Sequence, residues 1–309
     1  MNKKHFMKPI IIAAGATALA GSLGIYVWKE DHRLPLLEIY VFDLASGRSV
    51  FIRTPEDKRI LIDGGSNSDI VRKISEIIPF YSRRIDIVIA TNSEGKNVSG
   101  LIDIIERYKV DKVYVPEFTL ESLGLASSTD QIYTTFIETL EHKDIDRADL
   151  SLGKVISIDK NVSLTVLFPA QPSDFVYSKS SAPEILFNIS NNKNNITFLG
   201  NATKKVQKYI ATTTPSLKTD VLVFTHSPLP TNISLELIDT IKPQNIIFSQ
   251  KISDTLSTPK PYKVTKNSKK KKEVIDPLSY LGDDNRFNIK EGTVKITSDG
   301  ENISILDKL

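Results

Sequence analysis

Residues 37–65 read LEIYVFDLASGRSVFIRTPEDKRILIDGG, and the rest of the chain is organised around this stretch. Three short runs of strand character, 38–43, 49–54 and 59–63, are joined by turns, the second of them Pro55-Glu56-Asp57. The third run ends on Asp63-Gly64-Gly65, two glycines where the backbone must bend sharply. Just downstream, Ile70, Val71, Ile74, Ile77 and Ile78 have helical spacing, which predicts a helix over 68–78. Residues 85–90 are almost all apolar and read as a strand buried on both faces. A helix over 99–108 and a strand over 112–115, stopped by Pro116, complete this first block.

A second block repeats the arrangement. A helix is expected over 129–140, then strands over 154–158, 162–167, 185–189 and 195–199. After them come a helix over 204–212, a strand over 220–224, a helix over 234–241 and a strand over 245–249. Strands over 293–297 and 302–305 close the chain. Each block begins with strand pairs and ends in alternating strands and helices. That pattern predicts an α/β fold, a four-layer αβ/βα sandwich spanning 37–309, with two sheets face to face and helices outside. Residues 251–285 interrupt it with a polar, lysine-rich insertion.

Composition narrows the chemistry. With 309 residues, 40% hydrophobic and 25% charged, the chain is neither collagenous nor wholly disordered, and a net charge of +3 points to no particular polyanion. It has no cysteine, which removes disulfides, thiolate nucleophiles and Cys-based metal sites. Its four histidines, His5, His32, His142 and His226, share no close spacing, so a His-rich metal site is not expected. Seven Asn-X-Ser/Thr triplets begin at Asn97, Asn161, Asn188, Asn195, Asn201, Asn232 and Asn302. Several fall in expected strands, where a glycan has no room.

The N-terminus suggests an anchor. Residues 1–8 carry three lysines, and residues 9–28 then run without a charge. Twenty helical residues at about 1.5 Å each cover about 30 Å, the thickness of a bilayer core. Tyr26 and Trp28 sit at the far end, and the lysine bias predicts a cytoplasmic segment 1–8, a span 9–28, a linker 29–36 and an outward-facing domain. The other reading is a cleaved signal peptide, with Ala18-Leu19-Ala20 as its small-x-small site. Either way a plasma-membrane, extracytoplasmic location is expected, single-pass if the span is retained.

Several segments resemble one family, the metallo-β-lactamase-like domain of the ComEC competence proteins, which take up DNA. Residues 37–65 resemble its opening, which runs strand, D-V-G-Q-G-D, strand, turn, I-D-G-G. Residues 84–101 occupy the place of the strand leading into T-H-x-H-x-D-H-x-x-G, and Phe198-Leu199-Gly200-Asn201-Ala202 that of L-T-G-D-A. Residues 220–227 resemble V-L-K-x-x-H-H-G, and 292–300 the closing strand. The resemblance implies a dinuclear hydrolase fold, yet the ligands it implies are replaced. Asn92, Glu94 and Asn97 stand where the family has histidines, and Lys96 where it has aspartate. Asn201 replaces the bridging aspartate, Ser227 a histidine, and Arg48 an acid of the first loop. Neutral amides bind zinc poorly, and an ammonium beside a divalent ion is repelled by several kcal/mol at about 4 Å.

The expectation is therefore a catalytically inactive protein without cofactor, with a binding or assembly role linked to DNA uptake or the cell envelope. Arg48 and Lys96, with Thr225 and His226, are the candidate anion-binding residues. Lys266, Lys269, Lys270, Lys271 and Lys272 are candidates for contact with DNA or another anionic surface. The other readings are residual metal-dependent hydrolase or nuclease activity, and a purely structural envelope protein.

Overall fold

The structure is a computed structural model that describes residues 35–126, 130–179, 182–225, 232–248, 278, 281–289 and 292–307. Strand β1 (Leu37–Val41) pairs antiparallel with β2 (Val50–Arg53), and β2 with β3 (Arg59–Ile62). From β3 the ladder turns parallel through β4 (Arg84–Ile89), β5 (Lys109–Pro116) and β6 (Asp146–Leu150). The last strands β14 (Val294–Ser298) and β15 (Ile303–Leu306) add to the other side of β1. Among the described residues this sheet has eight strands in the order β15-β14-β1-β2-β3-β4-β5-β6.

The second sheet has the same logic. Strands β7 (Val155–Ser157), β8 (Val162–Phe168), β9 (Leu186–Asn191) and β10 (Asn194–Phe198) pair antiparallel. Strands β11 (Val221–Phe224), β12 (Asn245–Phe248) and β13 (Arg286–Asn288) then continue from β10 in parallel. The reason is visible in the first strands, which are apolar at nearly every position. Side chains alternate between faces, so Ile39, Val41, Val50, Ile52, Ile60 and Ile62 enter the core between the sheets. Tyr40, Phe42, Phe51 and Leu61 enter the opposite core, under the helices. Both faces are covered, so both must be hydrophobic.

Helices α1 (Asp69–Ser75), α2 (Gly95–Arg107) and α3 (Gln131–His142) cover the first sheet through Ile70, Leu101, Ile104 and Phe136. Helices α4 (Lys204–Thr213) and α5 (Leu235–Ile241) cover the second through Val206, Ile210, Leu237 and Ile238. The result is a four-layer α/β sandwich consistent with a metallo-β-lactamase-like fold.

The membrane-anchored version of this fold is corrected. Residues 1–8, the expected span 9–28 and most of the linker lie outside the described residues. Among the described residues no helix is long and apolar enough to cross a membrane. The longest helix among the described residues, α2, has 13 residues and is amphipathic; at about 1.5 Å per residue it reaches about 20 Å, short of a bilayer core. The single-pass, plasma-membrane, outward-facing topology and membrane attachment through an N-terminal helix are accordingly withdrawn.

Local differences from the expected elements have physical causes. Strand β6, DRADL, was not expected because it is a polar edge strand with no apolar alternation. Helix α2 starts four residues before the expected 99, because an acid from another element caps it: Gly95 N donates to Asp130 Oδ2 at 3.1 Å. Two of the Asn-X-Ser/Thr asparagines, Asn97 and Asn188, are buried.

Candidate functional site

The carboxyl ends of β3 and β4 in one sheet and of β10 and β11 in the other converge, and most of the segments quoted from the sequence end there. Asp63 follows β3, Thr91 follows β4, Gly200 and Asn201 follow β10, and Thr225 follows β11. Arg48 enters from the loop between β1 and β2. That loop can approach because Gly47 has φ +75° and no Cβ: a methyl group there would strike the Lys96 carbonyl oxygen. Asp63 itself is left-handed at φ 55°, as is Gly65 at φ 69°. Gly64 serves a different purpose, a close approach to the backbone of α2 at Leu101.

Arg48 is the centre of the site. Its Nε donates to Asp63 Oδ2 at 2.7 Å and its Nη2 to Thr91 Oγ1 at 2.5 Å. Its Nη1 lies 2.6 Å from Glu184 Oε1. The side chains of Arg48, Asp63 and Glu184 are only 10%, 1% and 13% exposed. Asp63 also accepts from the Thr91 amide at 2.8 Å and the Thr91 hydroxyl at 2.7 Å, so its carboxylate ties the ends of β3 and β4 to the arginine. Burial alone would lower the Arg48 pKa, but Glu184 and Asp63 outweigh it and hold the guanidinium above its ordinary value. For Glu184 burial prevails: its carboxyl is pushed up, against the pull of Arg48, with Asp63 adding to the rise.

The positions where the resemblance implies metal ligands are otherwise engaged. Asn92 and Asn97 are buried and bonded to one another, Asn97 Nδ2 donating to Asn92 Oδ1 at 3.1 Å, while Asn92 Oδ1 also accepts from the Glu94 amide at 3.1 Å. Lys96 is half exposed, and its Nζ pairs with Glu94 Oε2 at 2.9 Å. The Asn201 amide donates to Glu184 Oε1 at 3.3 Å. Among the described residues no group of three or more His, Asp, Glu or Cys is placed to hold a metal ion. Donor chemistry agrees with that geometry: amides, a lysine and a buried guanidinium do not make a dinuclear zinc site.

Two hollows adjoin this network. A small cavity of about 20 Å³ is lined by Arg48, Asp63, Thr91, Glu184 and Thr225, with apolar walls from both sheets. Thr225 is 8% exposed, and its Oγ1 has no hydrogen-bond partner among the described residues. A polar cleft of about 60 Å³ lies beside it, lined by Asn92, Glu94, Lys179, Glu184, Asn201 and Thr203 among others.

The expected site residues are thus only partly brought together. Arg48 and Thr225 share the small cavity, whereas Lys96 turns to Glu94 and lines neither hollow. His226 and the lysines 266, 269, 270, 271 and 272 lie outside the described residues. Arg48 and Lys96 bring positive charge, as expected, but Asp63, Glu94 and Glu184 surround it, so an entering anion meets carboxylates. Glu184 carried no sequence signal beyond being a lone acid before the apolar run Ile185-Leu186-Phe187. The roles in DNA uptake and competence are not carried forward; they came with the resemblance and the anchor, and no described contact speaks for them.

No protein-family model matches the chain, and no curated protein matches it. Solved structures similar to it include the CmlA β-hydroxylase E377D mutant, at 17% identity over 69% of this chain and 45% of that one, TM-score 0.46. The chain therefore spans less than half of that protein's length. Zn(2+)-bound PqqB from Methylobacterium extorquens is similar at 14% identity over 72% of this chain and 79% of that one, TM-score 0.44. The Rm3 metallo-β-lactamase is similar at 16% identity over 60% and 74%, TM-score 0.39. None of these three is a ComEC protein, and the chemistry of the site rests on its own side chains.

Proposed function

We propose that this chain is a non-catalytic, metal-independent domain of metallo-β-lactamase-like architecture, serving as a scaffold or binding module. One observation carries the reading. The guanidinium of Arg48 sits between Asp63 and Glu184 at the convergence of the strand ends, 2.7 and 2.6 Å from their oxygens. A fixed positive charge there repels a divalent ion and uses up the carboxylates that would hold one. Hydrolysis by this architecture needs a metal to generate hydroxide near neutral pH, and the neighbouring amides supply neither ligand nor base. A kinship with the ComEC-type domain in particular is supported by the five segments that follow its order. A second reading, residual metal-dependent hydrolysis, is favoured by one feature: Glu94 and Glu184 both face the 60 Å³ cleft.

One experiment separates the two. The purified full chain is assayed for phosphodiester, β-lactam and ester hydrolysis with and without added zinc or manganese. The metal-independent reading expects no turnover above buffer under any condition. Metal-dependent turnover abolished by Glu94→Gln and Glu184→Gln would establish the enzyme instead.

A further inference from the structure

We infer that the Arg48 side chain is an internal cation occupying a seat for a single divalent ion of the hard, oxygen-preferring kind, and that deleting its charge opens that seat. The inference rests on the metal-independent reading and deepens it.

Three guanidinium nitrogens address three oxygens from three different segments: Asp63 Oδ2 after β3, Thr91 Oγ1 after β4 and Glu184 Oε1 before β9. These oxygens therefore surround one point, with positive charge at its centre. Two buried carboxylates face one arginine, so the charge removed with Arg48 leaves two negative charges, which one divalent ion balances. A fourth oxygen independently marks the place. Thr225 lines the same cavity and is buried, and its Oγ1 has no hydrogen-bond partner among the described residues, so it offers a lone pair. Val50, Ile62, Ile185, Phe187 and Phe198 wall the cavity, and their low polarity strengthens any ion–carboxylate attraction inside it.

Charge and donor use, rather than space, make the arginine and an ion exclude each other: the guanidinium repels a cation and already holds the Asp63, Thr91 and Glu184 oxygens. About 20 Å³ is open beside Arg48, room for about one water. Loss of the guanidinium and its stem enlarges it, and the carboxylates and hydroxyls then close on an ion at about 2.0–2.6 Å. All four donors are oxygens, which suits magnesium, manganese or calcium and disfavours zinc or copper, ions that take nitrogen and sulfur readily.

The test uses the full chain as wild type, Arg48→Ala and Arg48→Ala/Glu184→Gln, with manganese chloride as probe. Bound manganese is counted by electron paramagnetic resonance, and Tm is followed against manganese, magnesium and zinc. The inference expects one manganese per Arg48→Ala chain, and a Tm gain of about 5–10 °C at a concentration 100-fold above Kd. Wild type and the double variant should bind none and show no gain. If Arg48→Ala does not fold alone, refolding with manganese is the readout, and recovery of the folded state supports the seat. An Arg48→Ala chain that neither binds manganese nor responds to it, in refolding included, overturns the inference and leaves the metal-independent reading standing. Stoichiometric manganese on wild type and Arg48→Ala alike overturns both.

Discussion

Substitution of Asp63 probes the network at its most buried point. The Asp63 carboxylate is 1% exposed and accepts from Arg48 Nε, the Thr91 amide and the Thr91 hydroxyl. Asp63→Ala removes all three bonds and leaves Arg48 with Glu184 as its one remaining carboxylate. It also forces alanine into the left-handed backbone at φ 55°, which costs an alanine about 1–2 kcal/mol. Breaking a buried ion pair from one side costs about 3–5 kcal/mol. Together these come to about 4–7 kcal/mol; for a domain of this size each kcal/mol moves Tm by about 2–4 °C, so the Tm of Asp63→Ala should fall by about 8–28 °C. Asp63→Asn tolerates the left-handed conformation and keeps one acceptor; it loses charge-assisted bonds worth about 1.5–3 kcal/mol and should fall by roughly half as much. Scanning calorimetry of the full chain, repeated with EDTA, reads both values. A Tm within a degree of wild type for both variants would remove Asp63 from its supporting role, and equal large shifts would assign the whole effect to the lost charge. Shifts that vanish in EDTA would mean that Asp63 acts through a metal.

Two further perturbations test the surroundings. Gly47→Ala places a methyl group against the Lys96 carbonyl at φ +75°, so it should lower the urea midpoint clearly, whereas Gly153→Ala, left-handed but with nothing within 4 Å, should cost only the backbone strain of about 1–2 kcal/mol. At Glu38, burial favours the neutral acid, but Lys295 and Arg53 more than offset it and hold the carboxyl below its ordinary value. Its stabilisation is therefore present above the unfolded-state pKa and is lost as pH falls through the lower folded value. Urea midpoints measured from neutral to acid pH should drop less steeply for Glu38→Gln than for wild type, and parallel curves would contradict that assignment.

Much of the fold was legible because it is written in runs of buried apolar residues. The stretch 37–65 gives three strands whose alternating side chains feed two cores, and the order of strand pairs and helices in each block gives two sheets. The polar edge strand β6 and the early start of α2 were not legible, since one depends on pairing with β5 and the other on a cap from Asp130. At the site, the replaced ligand positions were readable one by one. Their new engagement was not, because Glu184 lies 136 positions from Arg48 and meets it only when the sheets pack. Arg48 was readable as a candidate anion-binding residue, whereas the identity of the two carboxylates that the fold delivers to it, Asp63 and Glu184, was not.

Metal content of the wild-type chain is the direct measurement. The protein is purified without chelator, incubated with excess zinc and manganese, desalted, and analysed by inductively coupled plasma mass spectrometry. With Arg48 as the site's own cation, each metal should remain far below one equivalent per chain. One or two equivalents of either, retained through desalting, would contradict it.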